Sequence, residues 1–201
     1  MENSTALIMA YVGVALMVGL AGIASAIGTA ICGQAAVGAM KKNGGAFGSY
    51  MVLSALPGSQ GLYGFVGYFM VSPLITETMP MLTAVGIFGA GLLMAIVTLS
   101  SALFQGKVCA NGIAAIGNGN DVMGNTLILA AFPELYAILG VAATFLISGA
   151  IKPVEIEKQN AKVEAEMAAY YAELAETEAE DVEVIDIVEV AEETQFLEDE
   201  E

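Results

Sequence analysis

Residues 128–151 read ILAAFPELYAILGVAATFLISGAI, an apolar run long enough to cross a bilayer, and its only charge is Glu134. No Lys, Arg or His shares the run. A bare carboxylate at the bilayer centre costs roughly 2.5–3.5 kcal/mol on insertion scales. The chain must therefore neutralise Glu134 with a proton, a metal ion or a partner group. An intramembrane carboxylate whose neutralising species can change is a carrier of that species. Three more runs, at 6–40, 47–74 and 81–116, are comparably apolar, and with 123–151 they make four candidate crossings. The expected fold is an all-α membrane protein of four transmembrane helices. The breaks between them fall at KKNGGAFG, ITETMPM and IGNGND.

A chain that is 57% hydrophobic, with a mean hydropathy of +0.72, has the composition of a membrane protein. Its net charge of −16 conceals a division. Residues 1–151 carry Glu2, Glu77, Asp121 and Glu134 against Lys41, Lys42 and Lys107. Residues 152–201 carry the other 18 acids against Lys152, Lys158 and Lys162. The expected organisation is a neutral membrane part, 1–151, and an acidic tail, 152–201. With no basic cluster, nucleic-acid binding has no electrostatic footing. With no His and only two Cys, a transition-metal site lacks a ligand set. Cys32 and Cys109 read as small apolar fillers. No nucleophile–base pair or phosphate loop is present, so a hydrolase is excluded and no catalytic residue is expected. The first run lacks a basic flank and is too long for a signal peptide, so it reads as a retained helix.

The two halves repeat. A shift of 76 positions without gaps superposes Gly13 on Gly89, Ser25 on Ser101, Ala26 on Ala102, Leu53 on Leu129, Pro57 on Pro133, Gly64 on Gly140 and Phe69 on Phe145. A two-helix hairpin (about 6–75) has been duplicated in tandem (about 81–151). Under this shift Glu134 lands on Gly58, so the first hairpin lacks the carboxylate. Small residues recur four apart in the first and third helices: Gly22, Ala26 and Ala30; Gly28, Cys32 and Ala36; and a row from Gly86 to Ala110. Such spacing lets backbones approach closely. Rows on several faces favour a crowded ring of copies over packing within one chain alone.

Polar groups gather around Glu134. In LSALPGSQGLYGF, Leu56, Ser59, Gln60 and Tyr63 share a helix face. The third helix adds Gln105. Pro57 and Pro133 each deprive an upstream carbonyl, of Leu53 and Leu129, of its helical partner, so distortion is expected at both. Gln60, Gln105, Ser59 and a backbone carbonyl near Leu56 offer oxygens, and Glu134 offers one negative charge. That set suits a hard monovalent cation such as Na⁺. Tyr63 can donate to Glu134 and fix its rotamer. A protonated Glu134 can use the same partners, so H⁺ stays open beside Na⁺. The plainer alternative is that Gln and Ser serve as interhelical glue.

The stretches SAIGTAICGQAAVG, SALPGSQGLYGF, SSALFQGKVCANG and ILAAFPELYAILG, with the hairpin duplication, resemble the proteolipid c subunits (subunit K) of V-type (V/A-type) rotary ATPases. The resemblance spans nearly all of residues 5–151. It implies a membrane c-ring of copies that turns against a stator while a peripheral motor hydrolyses or makes ATP. It implies that Glu134 carries the ion and releases it beside an Arg supplied by the stator, and this chain has no Arg of its own. The implied Na⁺ ligands are Leu56 (backbone), Ser59, Gln60, Gln105 and Glu134, with Tyr63 bonding the carboxylate. The family motif commonly has Thr where Ser59 stands. The implied partners are other copies, the stator, central-stalk subunits and membrane lipid.

The 50-residue tail departs from that pattern. Residues 154–180 are good helix formers. VEVIDIVEV fits helix or alternation. The tail reads as a solvated, partly disordered extension, with a partner dock or cation enrichment as the functional alternatives. Lys41 and Lys42 place the first loop in the cytoplasm and both termini outside the cell membrane, whereas Lys152, Lys158 and Lys162 argue the reverse. The competing functions are a stand-alone Na⁺/H⁺ channel or small transporter, and an assembly protein whose tail does the work.

Overall fold

The computed structural model describes the backbone of residues 2–198, with the side chains of 4–151 and 160–172. Among the described residues the protein is helical, with no strand. The elements are α1 (Glu2–Met40), α2 (Phe47–Ala55), α3 (Ser59–Val71), α4 (Met81–Gly117) and α5 (Met123–Glu198). Stretches Ser4–Met40, Met81–Gly117 and Met123–Ile151 are long and apolar enough to cross a membrane. The segment 47–74 is helical too, but a 3₁₀ turn at Leu56–Gly58 divides it into α2 and α3. Neither piece reaches spanning length alone.

The break sits at Pro57, whose missing N–H leaves the Leu53 carbonyl without its helical partner. Pro133 does not break its helix, for α5 runs through it without interruption. The neighbours explain the difference. Pro57 is followed by Gly58, whereas Pro133 stands between ILAAF and ELYAIL, strong helix formers that carry the helix across one lost hydrogen bond. Next to the Leu129 carbonyl that Pro133 frees, Gln105 Nε2 donates to the carbonyl of Ala130 at 3.1 Å.

The chain forms two compact units, Met1–Glu155 and Ile156–Glu201. In the first, α1 and α4 lie in close contact. Gly13 meets Gly91, and a Cβ added at Gly106 would lie 2.8–2.9 Å from the backbone of Gly28. Both contacts advance by the same number of residues on each helix, so α1 and α4 run parallel. No residue larger than Gly fits at those crossings. α3 runs antiparallel to α1: Gly61 faces Ser25, and Gly64 faces Met17 and Ala21. α5 runs antiparallel to α4: Gly112 meets Thr126, Gly140 meets Val97, and Gly86 meets Ile151. The duplicated sequence thus folds as two like-oriented antiparallel pairs.

The small-residue rows divide between two faces. Gly28, Cys32 and Ala36 are buried within the chain, where Gly28 touches Pro57 and Ala102, and the Cys32 thiol donates to the Gly106 carbonyl at 3.2 Å. Gly22, Ala26 and Ala30 are exposed, and nothing lies within 4 Å of a Cβ placed on Gly22.

Two apolar clusters fill the first unit. One gathers Ala10, Met17, Val71, Ile87, Ala90 and Met94, and the other gathers Cys32, Tyr50, Leu53, Cys109, Ile113 and Ala130. Gln60, Ser101 and Gln105 are buried along the chain between them. The connections 41–46 and 118–122 meet at one end, where Lys42 Nζ bonds Asn118 Oδ1 at 2.8 Å and Asn43 Nδ2 donates to the Ile116 carbonyl at 3.3 Å.

In the second unit the backbone is helical to Glu198, including 182–190. Its described side chains are exposed, with a Lys162–Glu166 pair at 3.7 Å. Lys152 and Lys158, invoked for orientation, and the side chains of VEVIDIVEV lie outside the described residues.

Candidate ion-binding site

The break at Pro57 aims the start of α3 at the early part of α5 that carries Glu134. Ser59 Oγ and Tyr63 Oη, one helical turn apart, both donate to Glu134 Oε1 at 2.7 Å. From α4, Gln105 Nε2 donates to Glu134 Oε2 at 2.9 Å. The carboxylate therefore receives three hydrogen bonds, and they tie α5 to α3 and α4. Charge-assisted bonds of this kind are the stronger sort. Interhelical bonds in membranes contribute about 0.6–1.7 kcal/mol each. Three of them roughly match the insertion cost of the bare charge. They can hold Glu134 ionised, with little surplus over that cost.

The amide orientations follow from one backbone oxygen. The Ala130 carbonyl can only accept, so the nitrogen of Gln105 must face it. The oxygen of Gln105 then faces Gln60 and accepts from Gln60 Nε2 at 2.9 Å. The second N–H of Gln60 goes to Ser101 Oγ at 3.0 Å. The oxygen of Gln60 is left on the side of Ser59, 3.3 Å from its Oγ. Ser59 Oγ also lies 3.0 Å from the Leu56 carbonyl. The N–H groups of both buried amides are thus committed, and their oxygens keep lone pairs for a further partner.

The geometry brings together all six residues singled out by sequence: Leu56, Ser59, Gln60, Tyr63, Gln105 and Glu134. The donor set contains only oxygen, with amide, hydroxyl, backbone carbonyl and a single carboxylate, which fits one monovalent cation. Among the described residues no cluster of His, Cys, Asp and Glu offers a transition-metal site. Three participants escaped the sequence reading: Ser101, Ser25 and the Ala130 carbonyl. Ser25 and Ser101 were visible as a matched pair in the repeat, but a serine among small residues reads as packing. A backbone carbonyl has no sequence signature.

Glu134 is only half-buried, and Phe132, Leu135, Tyr136 and Leu139 beside it are exposed, so the site lies at the flank of the helices. A cavity of about 300 Å³, lined by Ser100, Ser101, Phe104, Phe132, Pro133 and Tyr136, opens alongside between α4 and α5.

Comparison with known proteins agrees with this architecture. The family of ATP synthase C subunits matches twice, at residues 12–71 and 88–147, with the same 76-position offset as the internal repeat. The chain is 35% identical over 141 residues to the A-type ATP synthase subunit K of Methanocaldococcus jannaschii, an alignment covering 70% of this chain and 62% of that protein. It is also 35% identical over 141 residues to the V-type sodium ATPase subunit K of Enterococcus hirae, covering 70% of this chain and 90% of that protein. The resemblance drawn from the motifs is borne out by both. The family match ends at residue 147, before the acidic tail.

Proposed function

We propose the following function for this chain, which belongs to the family of ATP synthase C subunits. It is a non-catalytic rotor subunit of a V-type rotary ATPase, and copies of it form a c-ring that carries Na⁺ on Glu134. The observation that carries this reading is the oxygen-only cage around one half-buried carboxylate, with the Gln60 and Gln105 amides held in fixed orientation beside it. The Na⁺ ligands are Glu134, Gln60, Gln105, Ser59 and the Leu56 carbonyl, and Tyr63 orients the carboxylate. The sodium pump to which the E. hirae relative belongs by name supports Na⁺ as cargo.

The cycle follows from charge. With Na⁺ bound, the site is neutral and crosses lipid cheaply. Beside a cationic stator group the carboxylate exchanges its partner, and the ion leaves. That cation comes from another chain, since no Arg is present here. All four helical segments of residues 1–151 cross the membrane in this reading. The end bearing Lys41 and Lys42 faces the cytoplasm, opposite the end bearing Glu77, which places both termini outside the cell membrane. The exposed row Gly22–Ala26–Ala30 packs between copies.

The test is carbodiimide labelling of Glu134 in membranes holding the assembled complex, since the reagent attacks the protonated carboxyl. Na⁺ is expected to protect Glu134 at neutral pH, and Glu134→Gln to abolish both labelling and coupled transport. Labelling that follows pH alone and ignores Na⁺ makes the cargo H⁺.

A further inference from the structure

Two serines outside the ligand set hold it in place. Ser25 on α1 and Ser101 on α4 occupy one position of the duplicated hairpin. Each is buried, at 9% and 3% exposed, and each reaches across to the segment that begins α3. Ser101 Oγ accepts one N–H of Gln60 at 3.0 Å. Ser25 Oγ accepts the backbone N–H of Gly61 at 2.7 Å and donates to the carbonyl of Gly58 at 3.2 Å. Its hydroxyl thus staples the turn that Pro57 leaves without regular helical bonds. Gly58 is itself the residue that Glu134 matches in the repeat. The first hairpin lacks the carboxylate but keeps the serine, and the serine binds the backbone where the carboxylate's counterpart would stand.

We propose that Ser25 and Ser101 are paired positioning residues of the ion site. Ser25 fixes the turn that presents the Leu56 carbonyl and the Ser59 hydroxyl. Ser101 fixes the Gln60 amide with its oxygen toward the ion. This rests on the reading that the site binds an ion. Without Ser101, the Gln60 amide keeps only its bond to Gln105 and is free to turn about it. Without Ser25, the Gly58 carbonyl and Gly61 N–H lose their cross-helix tie, and two of the proposed ligands lose their fixed spacing. In both cases the ligands remain and their preorganisation goes.

The experiment measures, in membranes with the assembled complex, the Na⁺ concentration that half-protects Glu134 from a fluorescent carbodiimide at fixed pH. Ser101→Ala should raise it about five- to ten-fold, the loss of one buried neutral hydrogen bond, and Ser25→Ala, which loses two, at least as much. Ser101→Thr keeps the hydroxyl, and its added methyl has the adjoining cavity of about 300 Å³ to enter, so it should restore the wild-type value. Ser100→Ala should change nothing, because that hydroxyl bonds the carbonyls of Ile96 and Val97 on its own helix. A merely structural loss lowers the amount of assembled protein and leaves the half-protecting concentration alone. Half-protection at the wild-type concentration in an alanine variant overturns the role of that serine. If Na⁺ fails to protect even the wild type, the Na⁺ reading falls. The same variants are then read by the pH of half-maximal labelling, where a displacement in Ser101→Ala that Ser101→Thr reverses supports the positioning role and no displacement overturns it.

Discussion

Ser59 and Tyr63 donate to the same carboxylate oxygen at the same distance, yet their proposed tasks differ. Ser59 Oγ also sits beside the Leu56 and Gln60 oxygens, so it can turn a lone pair to a cation. Tyr63 bonds Glu134 and orients it. Tyr63→Phe should therefore weaken Na⁺ binding by the worth of one hydrogen bond, about 0.5–1.5 kcal/mol, or two- to twelve-fold. Ser59→Ala removes a ligand as well as a donor and should cost more, while Ser59→Thr, which keeps the hydroxyl, should bind nearly as the wild type does. Titrating Na⁺ protection of Glu134 in the three variants checks the order, and a Tyr63→Phe loss equal to that of Ser59→Ala would make the tyrosine a ligand. These residues were legible because polar side chains are rare in such apolar runs, and each had to have a reason. Ser25 and Ser101 were not, since a serine beside glycine and alanine packs as well as it bonds.

The helical elements divide between what the local sequence dictates and what a neighbour decides. Four apolar runs and their Gly-, Pro- and Asn-rich breaks gave the helix ends within a few residues, save the last, because hydropathy and turn chemistry are local signals. There α5 continues past 151 to Glu198, since a polar continuation carries no break. The unequal effects of Pro57 and Pro133 were not local. Gly58 and the Ser25 staple let the first break open, while helix formers on both sides carry α5 past the second. The glycine rows likewise read the same in sequence but do different work. Gly91 lies against the backbone of Gly13, so Gly91→Ala must part α1 and α4, at about 1–3 kcal/mol for overpacking. Gly22 faces open space, so Gly22→Leu should leave the single chain folded and block assembly of copies. Native electrophoresis of the solubilised complex beside a thermal melt separates the two. Gly91→Ala should lower the melting temperature of what assembles, and Gly22→Leu should leave chains that do not assemble. An intact oligomer with Gly22→Leu would remove that row from the proposed interface.

At the scale of the whole molecule, the charge is concentrated where the family match does not reach. Every proposed ligand lies between residues 56 and 134, and the match ends at 147. The tail holds 18 of the 22 acids, which invites the idea that it gathers cations for the site. The order of its charges argues otherwise. Residues 152–166, which follow the apolar run directly, carry Glu155, Glu157, Glu164 and Glu166 against Lys152, Lys158 and Lys162, a net of −1. From Glu173 onward every charged residue is acidic. At physiological ionic strength exposed charges are screened within about 8 Å. Only charge close to the ion's path can raise its local concentration, and the segment adjoining the membrane part in sequence is nearly neutral. Deleting residues 173–201 should therefore leave the half-protecting Na⁺ concentration unchanged within about two-fold at about 0.15 M ionic strength, where the screening length is about 8 Å. Any rise should emerge only near about 0.01 M, where that length grows to about 30 Å. The comparison needs carbodiimide protection of full-length and truncated chains at the two ionic strengths, with choline as the balancing cation so that Na⁺ alone varies. A several-fold rise at the higher ionic strength would restore cation enrichment as the tail's role. An unchanged value turns attention to what an exposed acidic helix bearing Val163, Met167, Tyr170 and Tyr171 on its surface can bind.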